Sequence, residues 1–397
     1  MFYICTVNDH KMYYNRHIES DVRNGLLHNP VTAIIGPRQC GKSTLAKHIL
    51  SETEKDTLFL DLEKPGDLQK LENAEWFLSK MKDKLICLDE IQRKPELFPL
   101  IRSLVDEWQG NGHFLILGSA NRDLIRQSSE SLAGRISYKE LTPFLYSEIK
   151  EDFSLEEYLV KGGFPRSLLQ KDEQISLEWR QDFITTFLER DLLQWSGFST
   201  ETMRKLWQMT AHLNGQTAHY SLLASSLSVS SPTIKNYIEL LSSTFMLQLL
   251  PPYLTNMKKR IVKAPKIYLN DTGIANALLG IGSFEALTGH PSVGPAWETL
   301  VLSNLKGHYP RAGYYFYRTS HGAELDIIME NHGKRIAIEC KTGTTPSLTR
   351  GNHNAIQDIK PAKMLIVAPV ETGWPVKPGI DVVNPEELFQ QLDMLFS

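Results

Sequence analysis

A chain of 397 residues has room for two or three domains, each large enough to bury a core. Its 42% hydrophobic and 22% charged residues are ordinary for a globular protein, and a net charge of -3 gives no global pull toward nucleic acid, so any basic surface must be local. No apolar run approaches the ~18 residues of a membrane span and no signal peptide is visible, so the expectation is a cytoplasmic protein without a membrane partner. The four cysteines, Cys5, Cys40, Cys87 and Cys340, have none of the paired spacings of zinc sites.

In chain order, Tyr13, Tyr14, Ile18, Val22 and Leu26 recur at intervals of about four, which predicts one amphipathic helix packed on the domain that follows. Tyr14-Asn15-Arg16-His17 could approach a nucleotide or simply pack through its aromatic ring. Next, Val31–Ile35 is a short β-branched run of the kind that makes a buried parallel strand. It leads into Gly36-Pro37-Arg38-Gln39-Cys40-Gly41-Lys42-Ser43-Thr44, which fits the phosphate-loop pattern G-x-x-x-x-G-K-[ST] without a mismatch, and then into a segment of helical spacing. Gly36 and Gly41 let successive N–H groups and a helix N-terminus face a phosphate. Lys42 adds a charge toward the β- and γ-phosphates, and the Ser43 hydroxyl can ligate Mg²⁺.

Thr57–Leu62 reads as a second strand, residues 67–82 as helical, and Leu85-Ile86-Cys87-Leu88-Asp89-Glu90 as a buried strand delivering two acids. Asp89 at such a strand end can hold Mg²⁺, and Glu90 can polarise an attacking water. A fourth strand, Phe114–Leu117, ends in Gly118-Ser119-Ala120-Asn121, where Ser119 or Asn121 could contact a γ-phosphate. Leu132-Ala133-Gly134-Arg135 precedes a fifth strand, Ile136–Leu141.

With these motifs the chain resembles the AAA+ superfamily of ATPases, and within it the group of predicted prokaryotic ATPases whose loop begins G-P-R-Q. The resemblance implies ATP and Mg²⁺ as cofactors, Ser119 as a sensor, and Arg135 as an arginine finger inserted into a neighbouring subunit of a homo-oligomer. A solvated or salt-bridged Arg135 is the alternative. Gly162-Gly163-Phe164-Pro165-Arg166 resembles the G-[apolar]-P element that packs near the adenine in related regulatory ATPases, which makes Pro165 a binding candidate. Arg166 and Arg190 are candidates for a phosphate sensor or a lid salt bridge.

Residues 201–265 are expected to form a winged helix. Ser221–Leu227 is a short helix, Ser228-Val229-Ser230 a turn, and Ser231-Pro232-Thr233-Ile234 the start of a second helix running through Lys235, Asn236, Tyr237 and Leu241. Leu247–Leu250 and Ile261-Val262 would make the wing, with Lys258, Lys259, Arg260, Lys263 and Lys266 as a basic stripe for DNA or RNA. Such a module also serves protein partners.

Farther on, Glu324–Met329 and Arg335–Lys341 flank His332-Gly333 as two alternating strands of a hairpin. A turn symmetric about those two residues sets Asp326 opposite Glu339 and Glu324 opposite Lys341. Leu325, Ile327 and Met329 would then share a buried face with Ile336, Ile338 and Cys340. Opposed carboxylates call for a divalent cation between them or for compensation by Lys341. Asp326 followed 13 residues later by Glu339-Cys340-Lys341 resembles the D…(D/E)-x-K core of restriction-endonuclease-like nucleases. That resemblance implies Asp326 and Glu339 as Mg²⁺ ligands, Lys341 as a stabiliser of the attacking hydroxide or phosphate, and Glu298 as the acid such folds carry on their first helix.

The expected architecture is therefore α/β. A P-loop AAA+ parallel-sheet core (1–150) is followed by a helical lid (151–200), a winged helix (201–265) and a restriction-endonuclease-like α/β domain (266–397). The expected function is ATP hydrolysis coupled to Mg²⁺-dependent action on nucleic acid. The rival is an ATP-driven switch whose C-terminal domain binds DNA or protein without cutting.

Overall fold

The computed structural model describes residues 13–119, 130–191, 199–254 and 262–396. The side chains of Ser119 and Arg190, together with Asn121, Lys258, Lys259, Arg260 and Ile261, lie outside the described part.

Five strands, β1 (Val31–Gly36), β2 (Thr57–Asp61), β3 (Leu85–Asp89), β4 (Phe114–Ser119) and β5 (Ile136–Glu140), form a parallel sheet in the order β2-β3-β4-β1-β5. β1 and β3 are buried at every position, as their apolar runs require of strands covered on both faces. The helix Leu97–Trp108 shows how one face is sealed. Leu97, Phe98, Ile101, Leu104, Val105 and Trp108 recur with helical spacing and are all buried, each contributing about 1.5–3 kcal/mol of transfer free energy. On the other face lie the helices Glu19–His28 and Lys42–Ser51. The N-terminal helix is shorter than its periodicity predicts. Tyr13 and Tyr14 precede it, because their rings are held elsewhere: Tyr13 stacks on His48 and Tyr14 meets Phe144 edge-on.

The next unit does not divide at residues 200/201 or 265/266. Its helices Glu173–Thr186, Thr200–His212, Tyr220–Ser226, Ser231–Ser243 and Thr272–Leu278 share one core, with Phe183, Trp207, Leu241, Ile267 and Ile274 all in it. Strands β6 (Gln216–Thr217), β7 (Leu247–Leu250) and β8 (Lys266–Leu269) form an antiparallel sheet in the order β6-β8-β7. The strand pairing with β7 is Lys266–Leu269, which begins where the C-terminal domain was expected to begin. On the helix Ser231–Ser243, Lys235 and Asn236 are exposed whereas Tyr237 and Leu241 are core residues, so only part of the expected reading face is available.

Six strands close the chain: β9 (Gly313–Arg318), β10 (Glu324–Asn331), β11 (Lys334–Cys340), β12 (Lys363–Val367), β13 (Trp374–Lys377) and β14 (Ile380–Val383), in the order β13-β14-β12-β11-β10-β9. The β10–β11 hairpin has the expected register, Ile327 opposite Ile338 through Asn331 opposite Lys334, with both His332 and Gly333 at positive φ. The face assignment of Leu325 is different. A bulge against β9 sets Asp326 and Ile327 opposite one residue and breaks the alternation. Leu325 therefore packs with Ile328 and Ala337 beneath the helix Arg350–Ile359, while Ile327, Met329, Ile336 and Ile338 pack on the helix Val293–His308. No helix among the described residues is long and apolar enough to cross a membrane.

Candidate functional site

Because all five core strands run the same way, the turns after β1 and β3 open at one end of the sheet. The loop after β1 hands directly into the helix Lys42–Ser51, whose preceding residue, Gly41, has φ 106°, a conformation open to glycine and costly for other residues. Gly36 has a different constraint: a Cβ there would lie 2.1 Å from the Leu141 carbonyl oxygen. Pro37 and Cys40 are buried, Arg38 is half-buried, and Gln39 and Thr44 are exposed. The Cys40 thiol faces the Leu141 carbonyl at 3.5 Å, so this residue contributes to the loop through its backbone.

Lys42 Nζ donates to the carbonyls of Gly36 (3.1 Å) and Pro37 (2.7 Å). Ser43 Oγ donates to Asp89 Oδ2 at 2.6 Å, joining the loop to the end of β3. Asp89 Oδ1 is buried without a hydrogen-bond partner. Burial holds the Asp89 carboxyl above its usual pKa, the charges of Glu90 and Asp61 add to this, and the Ser43 hydrogen bond opposes it. An orphaned buried carboxylate oxygen beside a serine hydroxyl is a donor set that fits Mg²⁺. Glu90 follows in left-handed backbone (φ 58°) and accepts from the Gln92 amide.

A cavity of about 530 Å³ runs from this loop to the next unit, lined by Tyr14, Lys42, Ser43, Glu90, Pro165 and Arg166 among others. The expected Pro165 contact region is thus brought to the phosphate loop. Sequence reasoning gave Arg16 no definite role. Arg16 is buried, donates to the carbonyls of Cys40 (3.0 Å) and Thr142 (2.7 Å), and pairs with Glu148 at 3.0 Å. Arg135 lies at the start of β5, at the opposite end of the sheet from the loop, and forms a two-pronged pair with Asp106.

The second cluster gathers around the β10 bulge. Asp326 Oδ2 accepts the Cys340 amide at 2.9 Å, and Lys341 Nζ pairs with Glu339 Oε1 at 2.8 Å. Glu298, on the helix Val293–His308, accepts from the Tyr268 hydroxyl at 2.7 Å. Burial first, and the charge of Asp326 second, push Glu298 up to about 8 and Glu339 up to about 7. Glu339 Oε2 is buried with no hydrogen-bond partner, so this acid set also has the donor chemistry for Mg²⁺. What the sequence did not reveal is Lys266. This residue of the expected basic stripe is 3% exposed and reaches Glu324 (3.3 Å), Asp326 (3.7 Å) and Glu298 (3.9 Å). Among the described residues, the group that brings one ligand atom each within 4.8 Å of one another is Glu19, His48 and Glu52, where Arg23 already pairs with both acids.

Residues 28–150 match the AAA domain family. With the phosphate loop and the acid at the end of β3, this defines the class as a P-loop ATPase of the AAA type. Residues 152–285 and 293–388 match two domains of unknown function, DUF8612 and DUF4143. The uncharacterized protein Rv2008c of Mycobacterium tuberculosis is 36% identical over 374 residues, spanning 94% of this chain and 84% of that protein. The chain belongs to the same family. The uncharacterized protein MJ1544 of Methanocaldococcus jannaschii is 23% identical over 363 residues, 81% of this chain and 77% of that protein. Among solved structures, the Walker-type ATPase PABY2304 of Pyrococcus abyssi is similar at 18% identity, covering 67% of this chain and 96% of that chain with a TM-score of 0.47, too loose a superposition to carry an argument.

Proposed function

We propose that this ATPase couples its nucleotide state to Mg²⁺-dependent action on nucleic acid by the C-terminal acid cluster. The observation that carries the nucleotide half is the 2.6 Å hydrogen bond to Asp89 from Ser43, a lining residue of the 530 Å³ cavity, beside an orphaned Asp89 oxygen. Lys42 exchanges its bonds to the Gly36 and Pro37 carbonyls for the phosphates, while the backbone N–H groups from Arg38 to Thr44 hold the phosphate chain. Ser43 and Asp89 would hold Mg²⁺, which supplies charge neutralisation at the phosphates. Glu90 orients and polarises the attacking water, Ser119 at the end of β4 senses the γ-phosphate, and Pro165 packs near the base. Arg135, remote from its own loop, completes a neighbour's site in a homo-oligomer.

In the C-terminal unit, Asp326, Glu339 and Glu298 would hold Mg²⁺ and Lys341 would stabilise charge at the scissile phosphate. The helix Ser231–Ser243 with β7 and β8 supports a winged-helix reading, in which exposed Lys235, Asn236 and Lys263 contact DNA or RNA. The rival, a switch that binds protein or nucleic acid without cleaving, draws on the Lys266 contacts, since they occupy the acids. Steady-state ATP hydrolysis tests the nucleotide half: Lys42→Ala and Glu90→Gln are expected to lower kcat by about a hundredfold or more. Wild-type rates in both variants would refute the assignment.

A further inference from the structure

Building on the metal-site reading of the C-terminal acids, we propose that Lys266 is a displaceable counter-ion that keeps divalent cations out of that cluster until strand β8 withdraws. The lysine does not belong to the sheet that carries Asp326 and Glu339. It comes from the three-stranded sheet of the middle unit, paired there with Thr217 and Leu250. From that strand its ammonium reaches two of the three proposed ligands, Asp326 at 3.7 Å and Glu298 at 3.9 Å. Mg²⁺ bonds oxygen at about 2.1 Å, so an ion shared by those two carboxylates would lie close to the ammonium and compete with it for the same oxygens. Tyr268, two residues along the same strand, donates to Glu298 Oε2 and occupies that ligand a second time.

The acids themselves are arranged as a site held apart. Glu298, Asp326 and Glu339 do not bring an oxygen each within 4.8 Å of one another, while Glu339 Oε2 is buried and unpartnered. Nearly every atom of Glu339 is shielded from solvent, so that oxygen can be satisfied by a cation or a proton but not by bulk water. Asn352, whose amide donates to the Glu324 carbonyl, also favours the charged form of the Glu339 carboxyl.

A short chain of contacts also links β8 to the wall of the nucleotide cavity. The strand leads into Asp271, which caps the helix Thr272–Leu278 through Ile274 N (2.9 Å) and accepts from Gly163 N (2.7 Å). Gly163 stands two residues before Pro165 in the wall of the nucleotide cavity. A shift of that wall acts on β8 through one buried carboxylate, and withdrawal of β8 removes Lys266 and Tyr268 together.

The test is Mn²⁺ binding to the nucleotide-free full chain, read from the spin resonance of free Mn²⁺. Wild type is compared with Lys266→Met and with Lys266→Met/Glu324→Gln, which keeps the charge balance and protects against a folding failure of the single variant. The expected result is one Mn²⁺ site at least tenfold tighter in the lysine variants, abolished by adding Asp326→Asn. Equal, Asp326-dependent binding in wild type and variants overturns the counter-ion role and leaves the metal reading standing. Absence of Asp326-dependent Mn²⁺ in every folded protein overturns both. In the wild type, saturating Mn²⁺ is expected to speed hydrogen exchange of the β8 amides, and unchanged exchange with Mn²⁺ bound at Asp326 also counts against the proposal.

Discussion

Arg16 ties the Thr142 carbonyl and the Glu148 carboxylate to the Cys40 carbonyl of the phosphate loop, and its pair with Glu148 is buried on both sides, at 4% and 5% side-chain exposure. Arg16→Ala leaves the buried Glu148 carboxylate with the His17 and Leu145 amides but without its charge partner, which costs up to about 3–5 kcal/mol. Thermal unfolding is expected to show a large drop that Arg16→Lys does not restore, because an ammonium cannot reproduce the guanidinium fork; full rescue by lysine would mean the charge alone matters. Arg135 makes a contrasting case. It is partly exposed and its pairing with Asp106 sits at the end of the sheet away from its own loop, so the finger role proposed for it is one in trans. Mixing Arg135→Ala with Glu90→Gln subunits is expected to restore part of the ATPase activity, and unchanged activity in Arg135→Ala alone removes the finger assignment. The residues legible beforehand, Lys42, Ser43 and Asp89, belong to contiguous strings whose chemistry is local. Lys266 was hidden among neighbouring basic residues, since only the tertiary fold brings it to acids about 30 to 60 residues away.

At the scale of elements, the strands of the ATPase core and the β10–β11 hairpin followed from apolar runs and turn chemistry, and the register came out as the His332-Gly333 turn requires. The bulge at Asp326-Ile327 did not, because an inserted residue leaves no mark on an alternating pattern until the partner strand is known. The helix Val293–His308 illustrates a further constraint. Its last residue, His308, lies near His17, bonds Ser147 at 2.9 Å, stacks on Phe389 and adjoins Tyr309, whose hydroxyl bonds Asp393. Burial, with His17 adding, lowers its pKa from 6.5 to about 3. The folded form therefore binds fewer protons than the unfolded chain between those values, and stability falls as pH drops below about 6.5. The melting temperature of His308→Gln is expected to decline less than that of wild type between pH 7.5 and pH 5. Equal declines would show that other groups carry the acid sensitivity.

Across the whole molecule, the three matched segments are joined by polar contacts and by a continuous apolar core. Phe144, Tyr158 and Leu168 from the first two segments pack in the same cluster as Trp297, Ile327 and Ile338 from the third. The single core shared by the expected lid and winged-helix segments was not legible, because apolar periodicity marks which residues are buried, not which helices bury them against one another. The cluster shared by all three segments offers a physical route for the proposed control of the acid cluster by nucleotide occupancy. The most direct measurement is Mg²⁺- or Mn²⁺-dependent cleavage of single-stranded, duplex and branched DNA and of RNA, with and without ATP, by wild type, Asp326→Ala and Lys42→Ala. Cleavage is expected to disappear in Asp326→Ala and to lose its ATP response in Lys42→Ala. No cleavage of any substrate by a wild-type protein that hydrolyses ATP would contradict that expectation and leave the C-terminal unit as a binding module.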